Sequence, residues 1–141
     1  MQLGTFGAIV SYAIEAESRA ESFYGRAPVG ELAEGFARLA QGSAKRKKRL
    51  LRARQELVSE MILESIVGLD GDSYAVCLDS DQDGEAALAQ AVRLETMLAA
   101  FYRDAAAKMP IREVVRLFAR LADENDRRCD QIEAWGQSIG S

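Results

Sequence analysis

Glu17 and Glu95 each precede an aromatic pair at the same distance. Phe23-Tyr24 lies six and seven residues after Glu17, and Phe101-Tyr102 lies six and seven after Glu95. The pentapeptide Phe-Ala-Arg-Leu-Ala then occurs at 36–40 and again at 118–122. Each copy is trailed, at matching offsets, by a polar residue and an arginine: Ser43 with Arg46, and Asn125 with Arg128. The groups on offer are carboxylates, guanidiniums, phenols, a hydroxyl and an amide. Two carboxylates facing two guanidiniums form a neutral set, and the fixed fork of arginine donors suits a carboxylate. Arginine has no usable lone pair, so it cannot ligate a metal. The 141 residues contain no histidine. That removes every His-based triad, every zinc site with a His ligand and any His general base.

These residues need elements to hold them. Apolar residues recur at steps of three and four in four segments, each tracing one face of a helix. The first runs Phe6, Val10, Ala13, Glu17, Ala20, Tyr24. The second runs Leu32, Phe36, Leu39, Ser43, Arg46, Leu50, Ala53, Leu57, Met61. The third runs Leu88, Ala91, Glu95, Leu98, Tyr102, and the fourth Ile111, Val114, Phe118, Leu121, Asn125, Arg128, Ile132, Trp135. The polar candidates therefore sit within the apolar stripes rather than opposite them. Gly25 to Gly30, with Pro28 near a helix start, separates the first two segments, and Met109-Pro110 separates the last two. Gly136 and Gly140 are expected to end the fourth helix. Residues 67–84, rich in Asp and Gly, make a much longer connection. The expected fold is an all-α four-helix bundle in one domain, 1–141. Its two helical hairpins span 5–66 and 85–136, with a crossover over 67–84. Because the hairpin is used twice, equivalent residues should meet near the bundle axis. Whether each glutamate pairs within its own half or across is open at this level.

Along nearly its whole length the chain resembles the rubrerythrin-like branch of the ferritin-like superfamily. The resemblance rests on the duplicated frame: a Glu with an aromatic pair ending in Tyr seven residues on, then Leu-Ala-x-x-Glu-x-x-His, both repeated in the second half. Helix-borne Glu plus Glu-x-x-His is a di-iron ligand arrangement in such bundles. Glu17 and Glu95 fall on the family's lone glutamates. The motif Glu falls on Ser43 and on Asn125, and the motif His on Arg46 and on Arg128. The resemblance thus implies a ferritin-like fold with a degenerate di-iron site, in which Arg46 and Arg128 replace the metals as positive charge. Ser43 and Asn125 would satisfy leftover lone pairs, and Tyr24 and Tyr102 would be core residues with hydrogen-bonded hydroxyls. It further implies a homodimer. No metal, no other cofactor and no catalytic residue is expected.

The rest of the chain narrows the classes. Few prolines and abundant Ala, Leu, Glu and Arg favour helix. The formal net charge is −4, so no global field draws the protein to nucleic acid. The basic run Lys45-Arg46-Lys47-Lys48-Arg49, with Arg52 and Arg54, has no interleaved aromatics and is expected to be a solvated face. Asp123, Glu124 and Asp126 lie off the core stripe and are poor replacement ligands. The Asp-rich stretch 79–83 lacks the spacing and closing Glu of a calcium loop. No apolar run approaches the length of a membrane span, and the first residues do not read as a secretory signal. Cys77 and Cys129, far apart and in no CxxC, read as reduced thiols of a cytoplasmic protein. The leading expectation is a non-catalytic structural or interaction protein. The alternatives are a rubrerythrin-type oxidoreductase with unorthodox ligands, and a small-ligand or partner-binding helical module.

Overall fold

The computed structural model describes residues 1–26, 30–57, 65–78 and 84–140. Four helices carry it: α1 (Phe6–Gly25), α2 (Ala33–Glu56), α3 (Gly84–Lys108) and α4 (Arg112–Gly140). Thr5 caps α1, its side-chain oxygen accepting from the Ala8 N–H at 3.1 Å. Pro110 lies just ahead of α4, in the non-helical link at 109–111. Pro28, Met61 and the stretch 79–83 lie outside the described residues. Gly136 does not end α4, which runs on to Gly140. One glycine inside a helix costs only about 1 kcal/mol. Packing of the turn that leads into it offsets that cost, with Ile132 buried and the Trp135 ring 6.3 Å from Phe36.

Neighbouring helices run antiparallel. Phe23 of α1 packs on Phe36 of α2, near the end of one and the start of the other. Tyr102 and Phe118 meet across α3 and α4 as a tilted pair, with ring centroids 5.2 Å apart. Tyr24 reaches Glu95 while Tyr102 reaches Glu17, which makes α1 and α3 antiparallel. Phe36 against Trp135 and Arg49 against Glu124 do the same for α2 and α4. Hence α2 and α3 run in the same direction. The core is apolar at both ends and polar in its middle layer. Each fully buried Phe or Leu there stabilises the fold by roughly 1.5–3 kcal/mol.

Residues 65–78, the described part of the link after α2, pack against the start of the chain and α3. The Leu3 N–H donates to Leu69 O, the Ile66 N–H to Gly4 O and the Gly71 N–H to Met1 O, an antiparallel pairing of the two segments. This seats Leu3 and Leu69, both buried, under that end of the bundle. A 3₁₀ turn, Gly71–Tyr74, comes next. Gly71 has to be glycine: a Cβ there would lie 2.6 Å from the Tyr12 ring, whose hydroxyl donates to Gly71 O at 2.8 Å. Tyr74 then closes on α3, its ring 5.4 Å from Phe101 and its hydroxyl 2.6 Å from Asp104. No helix among the described residues is long and apolar enough to cross a membrane. Cys77 is exposed and Cys129 half-buried, and both are free thiols.

Candidate functional site: a buried Glu–Arg–Tyr layer

Each helix contributes to the middle layer because its polar residues replace apolar ones on an inward stripe. Glu17, Tyr24, Ser43, Arg46, Glu95, Tyr102 and Asn125 are all buried. Arg128 is less so, with 13 % of its side chain exposed against 2 % for Arg46. Isolated charges at this depth would be prohibitive, so the layer must be internally paired.

The glutamate–arginine pairs form within each hairpin. Arg46 Nη1 lies 3.2 Å from Glu17 Oε2, joining α2 to α1. Arg128 Nη1 lies 3.5 Å from Glu95 Oε2, joining α4 to α3. The tyrosines make the opposite connection and bridge the halves. Tyr24 of α1 donates to Glu95 Oε2 at 2.5 Å, and Tyr102 of α3 donates to Glu17 Oε2 at 2.5 Å. Glu17 and Glu95 are thus each held by an arginine of their own hairpin and a phenol of the other one.

Beyond that shared scheme the halves differ. Asn125 Nδ2 donates to Glu95 Oε1 at 2.6 Å, so both oxygens of Glu95 have donors. Ser43 does not do the same for Glu17. Its hydroxyl oxygen instead accepts from Arg128 Nη1 at 3.3 Å, across the halves. Glu17 Oε1 consequently has no partner among the described residues, and neither does Asn125 Oδ1. The expectation that Ser43 would serve a carboxylate lone pair is not met, because its one-carbon reach ends at the arginine.

Arg46 also finds partners that the spacing of the stripe did not indicate. Its Nη2 donates to the Leu121 carbonyl at 2.6 Å, and its Nε lies 3.4 Å from Glu124 Oε1. Glu124 takes Arg49 as well, at 3.4 Å. Glu124 sits one residue before Asn125, so its Cα is off the inward stripe, but its long side chain reaches back over the edge of the bundle. The sequence signal was a break in the repeat: the position matching Glu124 in the first half is Gly42. Gly42 has its own role. A Cβ there would fall 2.3 Å from Arg128 Nη2, so the missing side chain is what makes room for that guanidinium. Asp123 and Asp126 stay outside the layer and pair with Arg103.

The electrostatics stem from burial. Desolvation pushes the Glu17 carboxyl above the usual glutamate range; Arg46 and the Tyr102 hydroxyl oppose this without cancelling it, and nearby Glu95 adds to it. Burial, then the adjacent carboxylate, holds both Tyr24 and Tyr102 well above the ordinary phenol range, so they remain donors. For Arg46 burial disfavours the charge, but Glu17, Tyr102, Glu95 and Glu124 together outweigh it and raise its pKa. The Arg46 guanidinium also lies 5.9 Å from the centroid of the Tyr102 ring.

The donor set does not suit a metal. Among the described residues no group of three or more His, Cys, Asp or Glu is placed to hold an ion. Both carboxylates already face arginines, whose charge would repel a cation. The arrangement can order four helices around one polar layer, in which Glu17 Oε1 is the carboxylate oxygen left without a donor among the described residues, sealed from solvent. No family model, no curated protein and no solved structure matches this chain.

Proposed function

We propose that this protein is a non-catalytic member of the ferritin-like, rubrerythrin-related bundles, with a structural or interaction role. In this reading a Glu–Arg–Tyr network stands where such bundles hold two metal ions. The observation that carries it is Arg46, a fully buried guanidinium 3.2 Å from Glu17 at the position of the motif histidine. Arg128 repeats the substitution at the matching position beside Glu95. Arginine supplies the positive charge a metal would bring, and no ligation. The parallel course of α2 and α3 also supports the ferritin-like arrangement, since a link between parallel helices must travel the length of the bundle. A metal centre would need the two glutamates freed from their arginines, so no catalytic step is assigned.

The deciding measurement is elemental analysis of protein purified without chelator. The reading requires metal far below one ion per chain, and no rise in melting temperature on adding Fe(II), Mn(II) or Zn(II). Two ions per chain would replace it with the oxidoreductase reading. A cytoplasmic location, resting on the two free thiols, and a homodimer, resting on the resemblance, belong to the same proposal. Light scattering at micromolar concentration tests the dimer.

A further inference from the structure

The helical repeat supplies an internal control for the surface of the molecule. The outer faces of α2 and α4 occupy equivalent places in their hairpins, and their matched positions are exposed in both. On α4 this face mixes signs: Arg120, Asp123, Arg127, Asp130 and Glu133 alternate along it. On α2 the matched residues are Arg38, Gln41, Lys45, Lys48 and Leu51, with Arg52 next in line and no acid among them. Over its whole length α2 carries eight Lys or Arg against two Glu, whereas α4 carries five against six acidic residues. The protein as a whole is acidic, at −4. The cationic face is therefore a local feature that the bundle itself does not demand, because α4 fills the same role without it.

Which cations the fold neutralises is equally informative. Lys47 and Arg49, on the flanks of α2, turn inward to Glu21 and Glu124. Arg46 is consumed by the core. Lys45, Lys48 and Arg52, on the outward line, meet no carboxylate among the described residues. With Arg38, which lies 3.8 Å from Glu34 of the same helix, they form a row roughly 20 Å long at 1.5 Å per residue. Leu51 lies within this row and is one of only three exposed large hydrophobic side chains among the described residues.

We propose that the outer face of α2 docks an acidic helix from another protein chain, with carboxylates at three- to four-residue spacing around one apolar contact on Leu51. Charge complementarity selects this occupant. A second copy of the same face would be repelled, and no equally acidic row exists on the described helices to receive it. Single-stranded nucleic acid would use stacking aromatics, and this face has none. A membrane would need an apolar face to enter the interface, and the apolar face of α2 is already spent on the core. The inference does not rest on the proposed function, since it leaves the buried layer untouched.

The test grafts one helix onto the other. Lys48→Asp with Leu51→Glu and Arg52→Ala writes the α4 residues into the α2 face. Because α4 tolerates them at matched exposed positions, circular dichroism and melting temperature should be unchanged. The probe is a synthetic 20-residue helical peptide with Glu at every third and fourth position and one Leu at its centre. The parent protein should bind it saturably at one per chain. The graft should weaken binding at least tenfold, as should raising salt from 50 to 300 mM, which shortens the screening length to well below 10 Å. A 20-base-pair duplex and vesicles of mixed phosphatidylserine and phosphatidylcholine should bind at least tenfold more weakly than the peptide. Absence of saturable peptide binding, equal binding by the graft, or tighter binding of duplex or vesicles would each overturn the proposal. Should the triple graft melt early, Lys48→Asp alone carries the comparison, with a threefold loss as its threshold.

Discussion

The two halves of the polar layer use the same three side chains and reach different degrees of satisfaction. Glu95 receives Tyr24, Asn125 and Arg128, with a donor on each oxygen. Glu17 receives Tyr102 and Arg46 on one oxygen, and the other has no partner among the described residues. The arginines are unequal in the reverse sense. Arg46 is sealed in with a carbonyl and a second carboxylate, whereas Arg128 lies partly open over Gly42. A duplicated motif therefore reproduces the principal pair but not its surroundings. Those depend on residues one step off the stripe, Gly42 against Glu124, and on reach, Ser43 against Asn125.

Removing the better-satisfied carboxylate should do the most damage. Glu95→Ala strands three donors and should cost about 3–5 kcal/mol in denaturant unfolding. Glu17→Ala should fall at the lower end of that range, because Arg46 keeps Glu124 and the Leu121 carbonyl. Replacing Glu17 and Arg46 together by Leu and Met should cost much less than either single change, since no charge is left unpaired. If Glu17→Ala proves the more damaging, donor count is not what separates the halves.

Next in size is the tight contact at Gly42. Gly42→Ala brings a methyl to 2.3 Å from Arg128 Nη2; overpacking of about 1–3 kcal/mol, less about 1 kcal/mol of helix propensity gained, should leave a net loss of up to about 2 kcal/mol. Glu124→Ala, in the other half, removes a carboxylate whose side chain is 29 % exposed. After solvent screening its cost should be smaller, about 0.5–1 kcal/mol. Chemical denaturation of both variants measures the asymmetry directly, and equal costs would remove it.

The pH dependence should show the smallest effect and the most specific one. The folded pKa of Glu17 is raised above the unfolded value, chiefly by burial. The folded state then holds the Glu17 proton more tightly than the unfolded chain. Its contribution is greatest below the ordinary glutamate value and is lost as pH rises through the folded pKa. Glu17→Gln should abolish that segment of the stability–pH curve. Ser43→Asn, which copies the other half, should supply a donor to Glu17 Oε1 and shift the Glu17 midpoint downward, as read by carboxyl carbon NMR. An unchanged midpoint would mean that Ser43 is too far away to play the part of Asn125.

Several features of this protein were already determined by its sequence. Steps of three and four placed Glu17, Ser43, Arg46, Glu95 and Asn125 on inward stripes, because helical periodicity encodes direction about a helix's own axis. Four helices in one bundle came from the same pattern. The repeat announced that each glutamate had an arginine counterpart. Only the tertiary structure decided the partners. Periodicity carries no information on how one helix is rotated against another, so pairing within hairpins, with tyrosines bridging them, could not be read from spacing. Glu124 escaped for a related reason: stripe logic tracks the Cα position, and a long side chain can leave its sector. Gly136 read as a helix end because local propensity says so, yet α4, held against α2 through Trp135 and Phe36 in the turn before it, runs on to Gly140. The pairing of residues 1–4 with 66–71 was invisible as well, since contacts between distant short segments depend on which end of the bundle each occupies.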